Sequence, residues 1–221
     1  MANRASPDAA AARSGRSTNA PLVLAALALG FLALVGYVMV GRGSEPASER
    51  PARRALVDFR LSDARGQQVR RADIAGEFLV VNFVHTSCSF ECRRVNERMA
   101  EIQRAVADEA DVRLVSLTVD PRTDTPSVLA KYAAEFGAEL DRWLFLTGEK
   151  PGLYHLIESS FLERGEPDPI DPIPGGFLEA DRIALVDRQG FVREYFPGMS
   201  HTTPAAVLDA IARLRRESGG G

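Results

Sequence analysis

The segment NFVHTSCSFECRRVN, Asn82 to Asn96, contains both cysteines of the chain, Cys88 and Cys92, and one of its three histidines, His85. Two cysteines spaced this way on a helix share a face, so their sulfurs can join in a disulfide or grip one ion. A helix N-terminus, with its partial positive charge and free N–H groups, favours thiolate over thiol. Glu91 opposes that bias, and Arg93 and Arg94 reinforce it. Two thiolates select Cu(I) or zinc over hard ions. A closed zinc site takes four ligands, and the chain has no further cysteine to complete the usual set. The competing possibility is a pair of inert core cysteines. The polar neighbours and the turn-like His85-Thr86-Ser87 argue instead for the partly exposed surroundings of reactive cysteines.

Several elements must position this pair. FLVVNFVH, Phe78 to His85, is a nearly unbroken apolar run of the kind that forms a strand buried on both faces. After it, Val95, Met99, Ile102 and Val106 recur at helical spacing, which places the cysteines in or just before the first turn of a helix. VRLVSLTVD is a second buried strand. The helix of DTPSVLAKYAAEFG has Thr125 as N-cap, Pro126 at its first position and Gly137 at its close. The strand WLFLTG and a helix from Lys150 to Phe161 follow. Then come a Pro/Gly-rich loop, a hairpin turning at Gln189-Gly190, and a last helix from Thr203-Pro204 with Val207, Leu208, Ile211 and Leu214 on one face. The opening ALVDFRLSDARGQQVRRADI has the pattern of a small hairpin. This order predicts an α/β, thioredoxin-like fold: a central mixed sheet flanked by helices, with an N-terminal β-hairpin extension and the cysteines at the carboxyl end of a central strand.

The rest of the 221-residue chain speaks to location. Pro21 to Val40 is uncharged and long enough to cross a bilayer core as a single helix. A cleaved signal peptide is the rival, but its apolar region is normally shorter and ends in a small-residue cleavage site, which is missing after Val40. The expected organisation is a disordered tail (1–20), a transmembrane anchor (21–41), a linker (42–54) and one folded domain (55–221). Arginines flank the apolar stretch on both sides, so the positive-inside rule does not orient it. A net charge of −3 with interspersed signs argues against a nucleic-acid partner.

VNFVHTSCSFEC, LVSLTVDPRTDTPSVLAKYA, WLFLTG and DRIALVDRQGFVREYF together resemble the SCO/SenC family across Ala55 to about Phe196. These are membrane-anchored, thioredoxin-like proteins that deliver copper to the dinuclear centre of cytochrome c oxidase. The most specific pieces are the C-x-x-x-C after a strand and VDPRTDTP. The resemblance implies that Cys88 and Cys92 bind copper, as Cu(I) or Cu(II), and can also form a disulfide. It implies Asp120 and Pro121 on a loop beside them. It also implies a single-pass protein of the inner membrane with its domain in the periplasm, or in the intermembrane space, where disulfides persist. The implied partner is the copper-receiving oxidase subunit or another periplasmic thiol or copper protein.

One position departs from the family. Where its third copper ligand is a histidine, alignment on DRIALVDRQG places Glu179, a hard donor poorly matched to Cu(I). His85, close in the chain to Cys88, is one replacement, or else a ring packed at the strand end. His201, with Met199 before it, follows the hairpin; two strands spaced about 4.8 Å put it roughly 10 Å away. His155 lies within a helix, and Asp120, Arg122 and Asp124 serve either turn construction or partner docking. The expected activity is therefore copper binding, thiol-disulfide reduction, or both, with Cys88 attacking and Cys92 resolving. A non-catalytic copper carrier or sensor and a redox-inactive docking scaffold are the alternatives.

Overall fold

The computed structural model describes residues 54–88, 90–162 and 181–218. The predicted tail and anchor, most of the linker, the Pro/Gly-rich loop and Glu179 lie outside the described residues. Among the described residues, no helix is long and apolar enough to cross a membrane.

The elements run β1 (Arg60–Asp63), β2 (Gln68–Arg70), a short 3₁₀ turn (Arg71–Ile74), β3 (Phe78–Val84), α1 (Glu91–Ala105), β4 (Val112–Thr118), α2 (Pro126–Glu135), β5 (Trp143–Thr147), α3 (Lys150–Phe161), β6 (Arg182–Val186), β7 (Val192–Pro197) and α4 (Thr203–Ser218). The strands form one seven-stranded sheet in the order β2-β1-β5-β4-β3-β6-β7. β3, β4 and β5 are parallel, and the outer strands pair antiparallel. This is the mixed sheet expected, and the opening hairpin extends it by pairing Ser62 with Thr147 on β5.

Apolar side chains fill both faces. Phe78, Val80 and Val84 of β3 join Leu114, Phe145 and Ile183 under α1, α2 and α4. Leu79, Val81 and Phe83 point the other way, to Leu117, Leu146 and Ala184 under α3. Every residue of β3 is buried, which is why its sequence lacks the polar alternation of a one-sided strand.

Local signals place most boundaries. Thr125 holds the N-cap of α2 with Pro126 behind it, although its hydroxyl meets Ser127 at 3.2 Å rather than capping the helix. Gly190 takes φ +85 in the β6–β7 turn, a conformation costly for a residue with a Cβ. The Asp187 carboxylate steadies that turn by accepting the N–H groups of Gln189 and Phe191 at 3.0 and 2.9 Å. β7 runs antiparallel to β6, and β6 antiparallel to β3. The carboxyl ends of β3, β4, β5 and β7 therefore share one edge, and the cysteines sit on it.

Candidate redox and metal site

β3 stops at Val84, and the chain turns through His85 to Cys88, whose N–H bonds back to the His85 carbonyl at 2.9 Å. α1 then begins at Glu91, so Cys92 lies in its first turn while Cys88 stands outside it. The reason is local: Phe90 holds the N-cap with helical backbone angles and no capping side chain. Cys88 supplies a substitute, its sulfur taking the Cys92 N–H at 3.4 Å. A sulfur held at a helix N-terminus is one whose thiolate is stabilised.

The two sulfurs are joined in a disulfide across a Cα separation of 5.9 Å. Their exposure differs. Cys92 is buried at 2 % exposure and Cys88 is half-buried. Between them Phe90 is 66 % exposed, with the Arg94 guanidinium 5.5 Å from its ring centre.

Asp124 fastens this loop to the next. Its carboxylate is fully buried and accepts the Thr118 hydroxyl at 2.5 Å, the Thr86 N–H at 3.3 Å and the Thr86 hydroxyl. Thr86 belongs to the cysteine loop and Thr118 ends β4, so one side chain holds two loops at the sheet edge. On the same edge His85 Nε2 lies 3.6 Å from Asp120 Oδ2. The Asp120 carboxyl is held below the usual carboxylate range, first by the Thr123 hydroxyl against the pull of burial, then by the Thr123 N–H, the His85 charge and the Arg122 N–H.

The predicted site residues thus separate. Cys88, Cys92, His85, Asp120 and Asp124 share one edge. His85 has Asp120 beside its ring, which is neither free pointing toward sulfur nor simple packing. His155 is on α3, across the sheet from α1, and its Nδ1 meets Ser159 at 3.3 Å. His201 and Met199 are exposed after β7. The loop start is close to α1: a Cβ at Gly198 would stand 2.9 Å from Val95 Cγ2 and collide with the Asp181 backbone. Glu179 is outside the described residues. Among the described residues, no three of His, Cys, Asp and Glu stand where they could hold one metal ion. Sequence reasoning missed the burial of Asp124, because VDPRTDTP reads equally well as an exposed turn. It also passed over Asn82, a polar residue inside an apolar strand and a signal in plain view.

A family model described as SCO1/SenC matches residues 47–216. The chain belongs to the SCO1/SenC family. The SCO1 protein homolog of Bacillus subtilis (strain 168) is 34% identical over 91 residues, covering 41% of this chain and 47% of that protein. The chain spans less than half the length of the first curated SCO relatives it matches. Among solved structures, BsSco, described as having a disulfide switch and as a member of the Sco family of cytochrome c oxidase assembly proteins, superposes with TM-score 0.60 at 25% identity, covering 74% of this chain and 94% of BsSco. Bradyrhizobium japonicum ScoI, solved with copper bound, superposes with TM-score 0.54 at 22% identity, over 70% of this chain and 96% of its own. The latter likeness concerns the fold, and the SCO1/SenC chain described here shares its α/β, thioredoxin-like architecture.

Proposed function

We propose that this SCO1/SenC chain serves assembly of the copper centre of a cytochrome c oxidase, using Cys88 and Cys92 both to reduce a partner's disulfide and to hold copper in transit. Residues 21–41 anchor it in the inner membrane, and its domain faces the periplasm. The observation that carries the reading is the cysteine pair: one half-buried sulfur before a helix, joined to one buried in the helix's first turn.

In the reduced state the Cys88 thiolate attacks a sulfur of the partner's disulfide. A mixed disulfide forms and the partner's other sulfur leaves as thiolate. Cys92, deprotonated, then attacks Cys88 Sγ, the mixed disulfide breaks, and the partner's second sulfur leaves. Two electrons have passed to the partner, its two thiolates have taken up two protons, and Cys88–Cys92 is the disulfide again. A partner subunit so reduced is ready to receive copper on its own thiolates.

Copper is cargo in this scheme. The reduced pair offers two soft sulfurs, the donor type that Cu(I) prefers. The oxidised pair offers none, so reduction must precede loading. A third donor would come from His85 turning from Asp120, from Glu179, or from the receiving protein. Among the described residues no third donor stands beside the pair, and disulfide reduction needs none. The copper-bound Bradyrhizobium relative supports copper as the cargo.

An anaerobic Cu(I) titration of the reduced full-length chain in detergent against a competing chelator tests the copper half. One-to-one binding that vanishes in the Cys88→Ser/Cys92→Ser variant is expected. Equal binding by the variant would overturn the assignment. Binding too weak to compete would leave the pair as a thiol reductant alone.

A further inference from the structure

Beneath the cysteines runs a line of buried polar side chains that crosses the apolar core. On β5 the Trp143 Nε1–H donates to Ser116 Oγ of β4 at 2.8 Å. The Ser116 hydroxyl donates to Asn82 Oδ1 of β3 at 2.6 Å. Asn82 Nδ2 donates to Asn96 Oδ1 of α1 at 3.0 Å. Asn96 Nδ2 then donates twice, to the Tyr132 hydroxyl of α2 and to the Cys92 backbone carbonyl, each at 2.9 Å. Asn82, Asn96, Ser116 and Trp143 are 0 % exposed, and Tyr132 is 7 %. Burial holds the Tyr132 phenol above its ordinary value, against the Asn96 hydrogen bond, so it is a neutral partner.

Burying this many polar groups destabilises a core unless each finds a partner. Here both asparagine amides are bonded at the oxygen and the nitrogen. Both hydrogens of Asn96 Nδ2 are used, so its amide plane has one orientation. One of those two bonds goes to the resolving cysteine. Three strands and two helices thereby meet at the backbone of Cys92.

We infer that this network is the mount of Cys92, and that Asn96 is a positioning residue setting how readily the Cys88–Cys92 disulfide opens. The inference rests on the reading of the pair as redox-active. Cys88 sits in a turn and Cys92 on a helix. Closing the bond depends on how often the Cys88 sulfur finds the Cys92 sulfur in a productive place, that is, on their effective concentration. A fixed Cys92 raises it. A loosened first turn lowers it and shifts the equilibrium toward dithiol.

The test is the equilibrium of the full-length protein with dithiothreitol. The protein disulfide breaks, two protein thiols form, and dithiothreitol gives up two electrons and two protons as it closes to its cyclic disulfide. Asn96→Ala is expected to move this equilibrium about tenfold toward the protein dithiol, a rise in potential of about 30 mV. Tyr132→Phe keeps the ring, removes one anchor and shifts it the same way by less. Gln103→Ala is the control. Gln103 is a buried amide on the same helix, bonded to Gly137 O and Glu139 N at 3.0 and 2.8 Å, with no bond to either cysteine. It should lower the melting temperature and leave the equilibrium within twofold. An Asn96→Ala equilibrium within twofold of wild type, or one matched by Gln103→Ala, overturns the inference and leaves the redox reading standing. If Asn96→Ala does not fold, an unmoved Tyr132→Phe overturns it. A wild-type disulfide that dithiothreitol cannot open overturns the redox reading and the inference together.

Discussion

Cys88 and Cys92 have the same chemistry and different surroundings, and the difference predicts which one meets a partner. Cys88 is half-buried, before the helix, with the Cys92 N–H against its sulfur; Cys92 is almost wholly enclosed. Replacing Cys92 with Ser should leave a Cys88 thiol that forms a lasting mixed disulfide with glutathione, seen as a single stable adduct by mass spectrometry. Replacing Cys88 with Ser should leave a thiol that iodoacetamide alkylates at least about tenfold more slowly, because burial denies access. Equal alkylation of the two variants would remove the division of labour. The pair itself was legible from its spacing. Whether Cys88 stood in the helix or just before it was left open, because the capping residue is Phe90, which carries none of the side-chain signals that mark a helix start.

At the scale of elements, the loops after β3 and β4 are tied by Asp124. Its removal in Asp124→Ala leaves the buried Thr118 hydroxyl and the half-buried Thr86 hydroxyl without their acceptor, at a cost of about 2 kcal/mol. A fall in Tm of about 5 °C is expected, together with faster amide exchange at Thr86. Unchanged exchange there would mean the cysteine loop is held by something else. Elements were legible in proportion to how local their signals are. Pro126, Thr203-Pro204 and Gly190 placed two helices and a turn within a residue or so, because caps and turns are decided by neighbours in sequence. Strand order was not open to the same reading. That β1 lies beside β5, and that β6 rather than a hairpin neighbour completes β3, depends on which apolar faces meet in three dimensions. The burial of Asn82 was open to reading from its place in an apolar strand, but its pairing with Asn96 follows from how α1 packs on β3 and was hidden.

For the molecule as a whole, the end of the sheet away from the cysteines is closed by charge. Asp111, before β4, is hydrogen-bonded by Arg188 of the β6–β7 turn and by Arg215 of α4, and both guanidinium groups lie over the Phe78 ring, at 5.1 and 5.8 Å. Burial would raise the Asp111 pKa, but the hydrogen bonds of Arg215 and then Arg188 outweigh it and hold the carboxyl low. A carboxyl depressed in the fold stabilises it above the unfolded pKa of about 3.9, and that contribution fades as pH falls through the lower folded value. Asp111→Asn should therefore cost about 1 kcal/mol near neutrality, with the gap from wild type in urea melts closing below about pH 4. A gap that persists undiminished in acid would assign the loss to packing instead. The position of β3 in the sheet carries a further consequence, for the order of events in a newly made chain. One edge of this strand is satisfied by β4, soon after it in sequence, and the other only by β6, from the far end of the domain. Contacts between distant segments form late. The strand that leads to the cysteines is thus left half-paired until β6 has been made, whereas Cys88 and Cys92 need only each other and a disulfide donor of the compartment, which takes up their two electrons and two protons, to be oxidised. The first sulfur chemistry this protein undergoes can precede its folding, and the finished domain then inherits a pair whose redox history began before there was a site to hold it.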